Sequence, residues 1–212
     1  MKRLAIIGSG DLGQLIAYHA INDNHYRVIG FFDDFEEIGT KKNQLPIIGK
    51  THDVLELFKN DKFDCIMIGI GYKHMAFRKS VYNSLNGIIP FGKVIHSSAY
   101  VDSSSILGNG IFILPNCTLD KHVIIGDNVL LNTASVIAHD SEIKPHTFVA
   151  PAVNIAGKVV INECCVVGIG STIIDNIMIE SNIQIAGGAV VIKTLTQSGL
   201  YAGVPAILKK QF

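Results

Sequence analysis

The residues best equipped for proton chemistry are His139 and Asp140, which close the segment LLNTASVIAHD at Leu130 to Asp140. An imidazole with an ordinary pKa of about 6.5 is largely neutral at neutral pH, so it accepts a proton without special activation. A neighbouring carboxylate can orient that ring and raise its basicity. Together they are equipped to act as a general base for an incoming amine or hydroxyl. A second set lies near the start, where Gly8-Ser9-Gly10-Asp11-Leu12-Gly13 follows an apolar run at Leu4 to Ile7. Glycines there permit a tight turn and close approach, and the free amides of a following helix attract phosphate.

These groups need elements to hold them. From Ile95 to Val191 every sixth residue is Ile, Val or Leu. Four residues after each of these, as far as Ile185, comes a compact residue, from Ala99 through Cys117, Ser141 and Val159 to Ala189. A helix needs an apolar period near 3.6 and a plain strand a period of 2, so a strict six fits neither. It fits a short strand plus a turn, with three such units making one triangular coil of 18 residues. One inner face then carries Ile95, Ile113, Leu131, Val149, Val167 and Ile185, while Asn109, Asp127, Pro145, Pro151, Gly157 and Asp175 occupy corners. His139, two residues after Ile137, falls at a corner, where a side chain can leave the prism.

The N-terminal part reads differently. A strand at Leu4 to Ile7, the glycine loop, a helix through Asn22 and a strand at Val28 to Phe32 form one mononucleotide-binding half. Asp33 and Asp34 stand at the end of that second strand, about where an acid reaches a ribose hydroxyl or a base edge. Further strand and helix signals lie at Cys65–Ile70 and Met75–Leu85, and the second half of a dinucleotide fold is missing. A nucleoside diphosphate therefore fits better than NAD, and a dehydrogenase reading would rest on GSGDLG alone. The boundary is expected between 92 and 93: residues 1–92 as a Rossmann-like nucleotide-sugar-binding domain and 93–212 as the coil with its C-terminal tail.

Composition narrows the partners. The 18 basic and 18 acidic residues cancel, which removes the broad positive field expected of a nucleic-acid or anionic-membrane binder. Gly8, Gly10 and Gly13 interrupt the first apolar run before it reaches signal-peptide or membrane-span form, so a cytoplasmic protein with no membrane span is expected. Cys65, Cys117, Cys164 and Cys165 have neither zinc nor disulfide spacing and are expected as reduced thiols. No two histidines of the repeat are a multiple of 18 apart, so they do not converge on a metal, and no metal is expected.

The repeat, with GVPA at Gly203 to Ala206, resembles the hexapeptide-repeat acyltransferases. That resemblance implies a left-handed parallel β-helix, a homotrimer, and acyl-CoA lying between neighbouring prisms. Over nearly the whole chain, the glycine loop, FFDD at Phe31 to Asp34, IGIG at Ile68 to Gly71 and the His139 segment resemble bacterial nucleotide-sugar acetyltransferases. Those enzymes modify UDP-4-amino sugars, GDP-perosamine or sialic acids.

The implied activity is acetyl transfer from acetyl-CoA to the amine of a nucleotide-linked sugar for bacterial surface glycans. O-acetylation of a sialic acid or another sugar is the alternative, and a non-catalytic trimeric nucleotide-binding scaffold is the alternative of another class. His139 would be the base and Asp140 its partner. Substrate contacts are expected at Gly8, Gly10, Asp11, Leu12, Asp33, Asp34 and Gly69. Gly157, eighteen residues after His139, would offer a backbone amide to the thioester carbonyl. Gly168 and Ile169, one coil before Ala186 and Gly187, would form a smooth strip for the CoA arm. Relatives often carry a histidine at the position of Leu12, and another at that of Phe148. His146, nearby, is a substitute CoA contact if it does not simply sit on the surface.

Overall fold

The computed structural model describes residues 1–212. The chain divides into two compact units, Met1–Val94 and Ile95–Phe212.

In the first unit β1 (Arg3–Ile7), α1 (Asp11–Asn22), β2 (Arg27–Phe32), β3 (Lys41–Lys42), β4 (Leu45–Gly49), α2 (Val54–Lys59), β5 (Cys65–Ile68) and α3 (Met75–Leu85) follow in order. The sheet order is β3-β4-β2-β1-β5, parallel except for the β3–β4 hairpin. The hairpin turns through Asn43 and Gln44, both at positive φ. β1 is the switch strand: the chain runs to β2 on one side of it and returns as β5 on the other. The loop after β1 therefore opens into the crevice where this fold places ligands. Below it Ala5, Ile7, Phe32, Phe63, Ile66 and Ile68 are buried together. The β3–β4 hairpin and α2 have no counterpart in the sequence reading, being too short to establish a period.

The second unit is a left-handed β-helix of hexapeptide repeats. Its two-residue strands stack in parallel with an 18-residue offset, as in Leu131 on Ile113 and Val149 on Leu131. Three sheets form the three walls of the prism. Both predicted inward registers are buried from Ile111 onward, including Ile137, Ile143 and Ile155 in one and Val129, Val153 and Val159 in the other. Polar residues in the second register find partners at the corners. Ser141 Oγ donates to the Ala156 carbonyl at 2.9 Å, and Cys165 Sγ donates to that of Glu180 at 3.1 Å. Burying a hydroxyl without such a bond would cost free energy.

From Gly110 to Gly188 each corner is a two-residue turn whose second residue is left-handed. His122, Asn128, Ala134, Asp140, His146, Ala152, Lys158 and Cys164 all lie at φ 54–62°. Asn, Asp and His tolerate this region best among residues with a side chain. At the end, strand Gly199–Ala202 pairs antiparallel with Ile207–Gln211, and the GVPA segment makes the turn between them. Ala206 N–H donates to the Val190 carbonyl at 2.8 Å, pinning that turn to the last coil.

Candidate active site

At the corner occupied by residues 121–122, 139–140 and 157–158, the His139 Nδ1 lies 2.8 Å from Asp140 Oδ2. A carboxylate only accepts, so Nδ1 carries the proton and Nε2 keeps its lone pair. The left-handed conformation of Asp140, at φ 59°, turns its side chain back beside the ring that precedes it. Asp140 is held below the usual carboxylate range, first by its hydrogen bond from His139 and then by one from His122. The His139 side chain remains 45% exposed, so Nε2 can be reached.

Gly157 lies one coil on and is buried. A Cβ there would come within 2.7 Å of His139 Cε1 and Nε2. The glycine therefore gives the imidazole the space it occupies, a requirement in addition to the amide role expected from sequence. The flanking amides are engaged in the stack, Ala156 N–H to Ile173 O and Lys158 N–H to His139 O, both at 3.0 Å. Gly157→Ala is expected to displace the ring and lower kcat by about 10- to 100-fold with the fold retained; steady-state kinetics beside circular dichroism checks this.

Gly168 and Gly187 occur together on successive coils, as the arithmetic predicts. A Cβ on Gly168 would meet the Gly187 amide and the Ile185 carbonyl at 2.5 Å, so the glycine is required by the stacking itself. Ile169 is 59% exposed and lies against Gly187, so that corner presents an aliphatic side chain beside bare backbone.

His146 departs from the expected surface position. It is 4% exposed, on the corner after that of His139, with Nδ1 3.0 Å from Asn128 Nδ2 one coil below. An imidazole so packed has little surface left within one chain for a CoA contact, and it is not brought to the His139–Asp140 pair.

In the first unit the glycine loop is built by mutual exclusion of side chains. Gly8 lies at φ +95°, and its amide donates to Phe32 O at 2.8 Å. A Cβ on Gly13 would stand 1.9 Å from the Gly8 carbonyl oxygen, and one on Gly69 would stand 2.5 Å from Gly13 Cα. The sequence reading assigned Gly69 to substrate contact. It is buried against Gly13, which lets β5 approach the loop. Gly10 caps α1 and has open space around it, with Asp11 exposed and Leu12 half-buried in the first turn.

Asp33 points back at the loop. Its Oδ2 accepts from Ser9 N–H at 2.9 Å and Ser9 Oγ at 2.7 Å, and its Oδ1 from Phe35 N–H at 3.0 Å. Burial alone would raise its pKa, but these bonds prevail and hold it below the ordinary value. Asp34 is exposed and accepts from Thr51 N–H at 2.8 Å. Both acids thus brace the rim beside the loop.

Sequence reasoning passed over several supports of these sites. Ser9 is one. Gln14 Nε2 donates to Ser9 O at 2.9 Å and is itself held by Asn43. Arg78 is buried and donates to the carbonyls of Ile68 and Ile70 at 3.0 and 2.9 Å. Burial lowers its pKa to about 10, which leaves it charged at neutral pH. His122 lies 18 residues before Asp140, and the coil spacing alone could have singled it out.

No group of three or more His, Cys, Asp or Glu side chains is placed to hold a metal ion. No helix is long and apolar enough to cross a membrane.

Residues 3–85 match the family model of the PglD N-terminal domain. None of the curated proteins compared with the chain matches it. Among solved structures, a mutant of perosamine N-acetyltransferase from Caulobacter crescentus, in complex with CoA and GDP-perosamine, shares 23% identity at a TM-score of 0.91. That comparison covers 100% of this chain and 98% of the other. The acetyltransferase domain of PglB from Neisseria gonorrhoeae FA1090, in complex with acetyl coenzyme A, shares 26% identity at a TM-score of 0.89, covering 98% and 99%. WeeI from Acinetobacter baumannii AYE shares 20% identity at a TM-score of 0.86, covering 99% and 100%. Residues 3–85 are thus similar to the PglD N-terminal domain, and the chain, which joins them to a hexapeptide-repeat β-helix, is similar over its whole length to the perosamine N-acetyltransferase and to the PglB acetyltransferase domain.

Proposed function

We infer that this chain is an acetyl-CoA-dependent N-acetyltransferase acting on the amine of a nucleotide-activated amino sugar, in the making of a bacterial surface glycan. The observation that carries the reading is the His139 imidazole, protonated at Nδ1 toward Asp140 and free at Nε2 over Gly157. It is supported by similarity to acetyltransferases whose structures hold CoA, acetyl-CoA or GDP-perosamine. The glycine loop and the start of α1 offer amides for the diphosphate.

In the proposed reaction His139 Nε2 removes a proton from the sugar amine as its nitrogen attacks the thioester carbonyl carbon. The Asp140 carboxylate stabilises the imidazolium that forms. The Gly157 amide donates to the oxyanion. Collapse of the tetrahedral intermediate breaks the carbon–sulfur bond, the new amide remains on the sugar, and the imidazolium returns its proton to the departing thiolate. Gly168, Ile169 and Gly187 provide the strip along which the pantetheine arm lies.

The working unit is proposed to be a homotrimer, in the cytoplasm, with acetyl-CoA held between prisms. Exposed Ile106, Ile124 and Met178 give one wall of the prism apolar positions that suit a neighbour, with Glu142 between Ile124 and Val160 on the same ladder. Light scattering should then return about three times the chain mass of 23.0 kDa. The activity is tested by thiol release from acetyl-CoA with UDP-, GDP- and dTDP-linked amino sugars. No release with any of them would sink the proposal, and release with hydroxyl acceptors alone would move it to O-acetylation.

A further inference from the structure

The Asp140 carboxylate serves two imidazoles. Its Oδ2 is 2.8 Å from His139 Nδ1 and its Oδ1 is 3.1 Å from His122 Nδ1. His122 and Asp140 are equivalent residues of successive coils, with φ 58° and 59°, so the backbone stacks one above the other. The site beneath is also ordered. His122 N–H donates to Ser104 Oγ at 2.8 Å, and Ser104 donates through N–H and Oγ to Asp102 Oδ1 at 2.9 and 2.6 Å. The His122 side chain is 62% exposed, so burial does not explain why its ring faces the carboxylate.

We propose that His122 is a positioning residue for acetyl transfer: a second imidazole that shares the Asp140 carboxylate and so sets the orientation and proton affinity of His139. This rests on the reading of His139 as the base.

The chemistry follows from what a carboxylate can do. It accepts only, so both imidazoles present Nδ1–H to it and both keep Nε2 free. Of the two, only His139 Nε2 stands over Gly157. A carboxylate held from both sides has little freedom to swing, which holds the His139 ring in one orientation. The two rings also compete for one negative charge. When His122 takes up a proton at Nε2, its hold on Asp140 strengthens and less charge is felt at His139.

The charged neighbours do not cancel this coupling. Asp102, with Tyr100 bonded to it, is in electrostatic reach of His122. Asp120 and Lys121 precede His122, the former engaged with the Lys121 amide at 2.7 Å. Lys158 follows on the next coil, its amide bonded to His139 O. Among the charged groups acting on Asp140 the two imidazoles are foremost.

Two variants separate position from titration. Asparagine tolerates the left-handed backbone and places its Nδ2 where the imidazole has Nδ1, so His122→Asn keeps the bond and removes the ionisation. His122→Ala removes both. His122→Asn is expected to keep kcat within about twofold while the acidic limb of kcat/KM moves up by about 0.5 pH units. His122→Ala should move that limb at least as far and lower kcat about tenfold, with KM for acetyl-CoA unchanged. Imidazole nitrogen NMR should find the His139 titration displaced in both variants, a readout independent of turnover. Should His122→Ala fail to fold, His122→Asn carries the test alone.

If His139→Ala abolishes turnover but both His122 variants leave the pH limb, kcat and the His139 titration unchanged, the shared-carboxylate proposal is overturned and the base reading survives. If His139→Ala retains turnover, the base reading fails first, and this proposal with it.

Discussion

His139→Ala should lower kcat by at least about 100-fold while the β-helix stays folded and the chain still binds acetyl-CoA. The magnitude follows from losing a positioned general base, whose contribution is on the order of 100- to 10,000-fold. The fold should survive because the side chain is half exposed and contributes no part of the inward-facing aliphatic stack. A stability change within about 0.5 kcal/mol is expected for such a corner position. Single-turnover kinetics with calorimetric titration of acetyl-CoA separates the two effects. A variant that turns over at the parental rate would remove His139 from the role of base, whereas absence of turnover in the parent chain itself would return it to a scaffold role. His139→Gln is a useful companion, since its amide can still lie over Gly157 but cannot accept the proton.

Gly13→Ala should have the largest effect on the first unit. A Cβ at Gly13 would sit 1.9 Å from the Gly8 carbonyl oxygen and 3.0 Å from its carbon. Backbone, not a flexible side chain, would have to move, and Gly69 closes the other side. Overpacking of this kind costs about 3 kcal/mol. Because the chain has two units, the loss should appear in a denaturation transition assigned to the first unit alone, with the β-helix transition unmoved. Gly10→Ala is the matched control. Nothing lies within 4 Å of its added methyl and its φ of −69° is ordinary, so stability should change little. A comparable loss in both variants would show that the loop is not held by the packing of Gly8, Gly13 and Gly69.

The β-helix was legible because each of its strands obeys one simple rule. A residue six positions after Ile137 must again be aliphatic or the prism would have a gap, and Ile143 obeys. Corners obey a looser rule, since a left-handed residue there can be Asn128, Ala134 or Lys158. The composition of a corner therefore reveals little about which corner works. His139 was found through its chemistry and its familiar surroundings.

His122 was missed because the 18-residue test was applied between histidines, as metal binding requires, and not between a histidine and an acid. The packing role of Gly69 is hidden in the sequence, because a glycine that admits a ligand and one that admits a neighbouring backbone look identical there. Only the approach of Gly13 distinguishes them. His146 reads from sequence as a substitute CoA contact or a surface residue, but Asn128 beneath it supplies a partner that permits burial. The β3–β4 hairpin escaped because Asn43-Gln44 is an uncommon pair to turn on, and the two-residue β3 leaves no pattern.

The stacking of Asp140 on His122 bears on which changes in length the chain can accept. Inserting six residues between His122 and His139 would leave every aliphatic in register and the prism intact. Everything downstream would nevertheless rotate by one wall, carrying His139 and Asp140 to a different edge and parting Asp140 from His122. Inserting a whole coil of 18 would restore the edge but put a new residue beneath Asp140. The core tolerates growth in units of a third of a turn, whereas the corner that joins His122, His139 and Asp140 tolerates none between the first two.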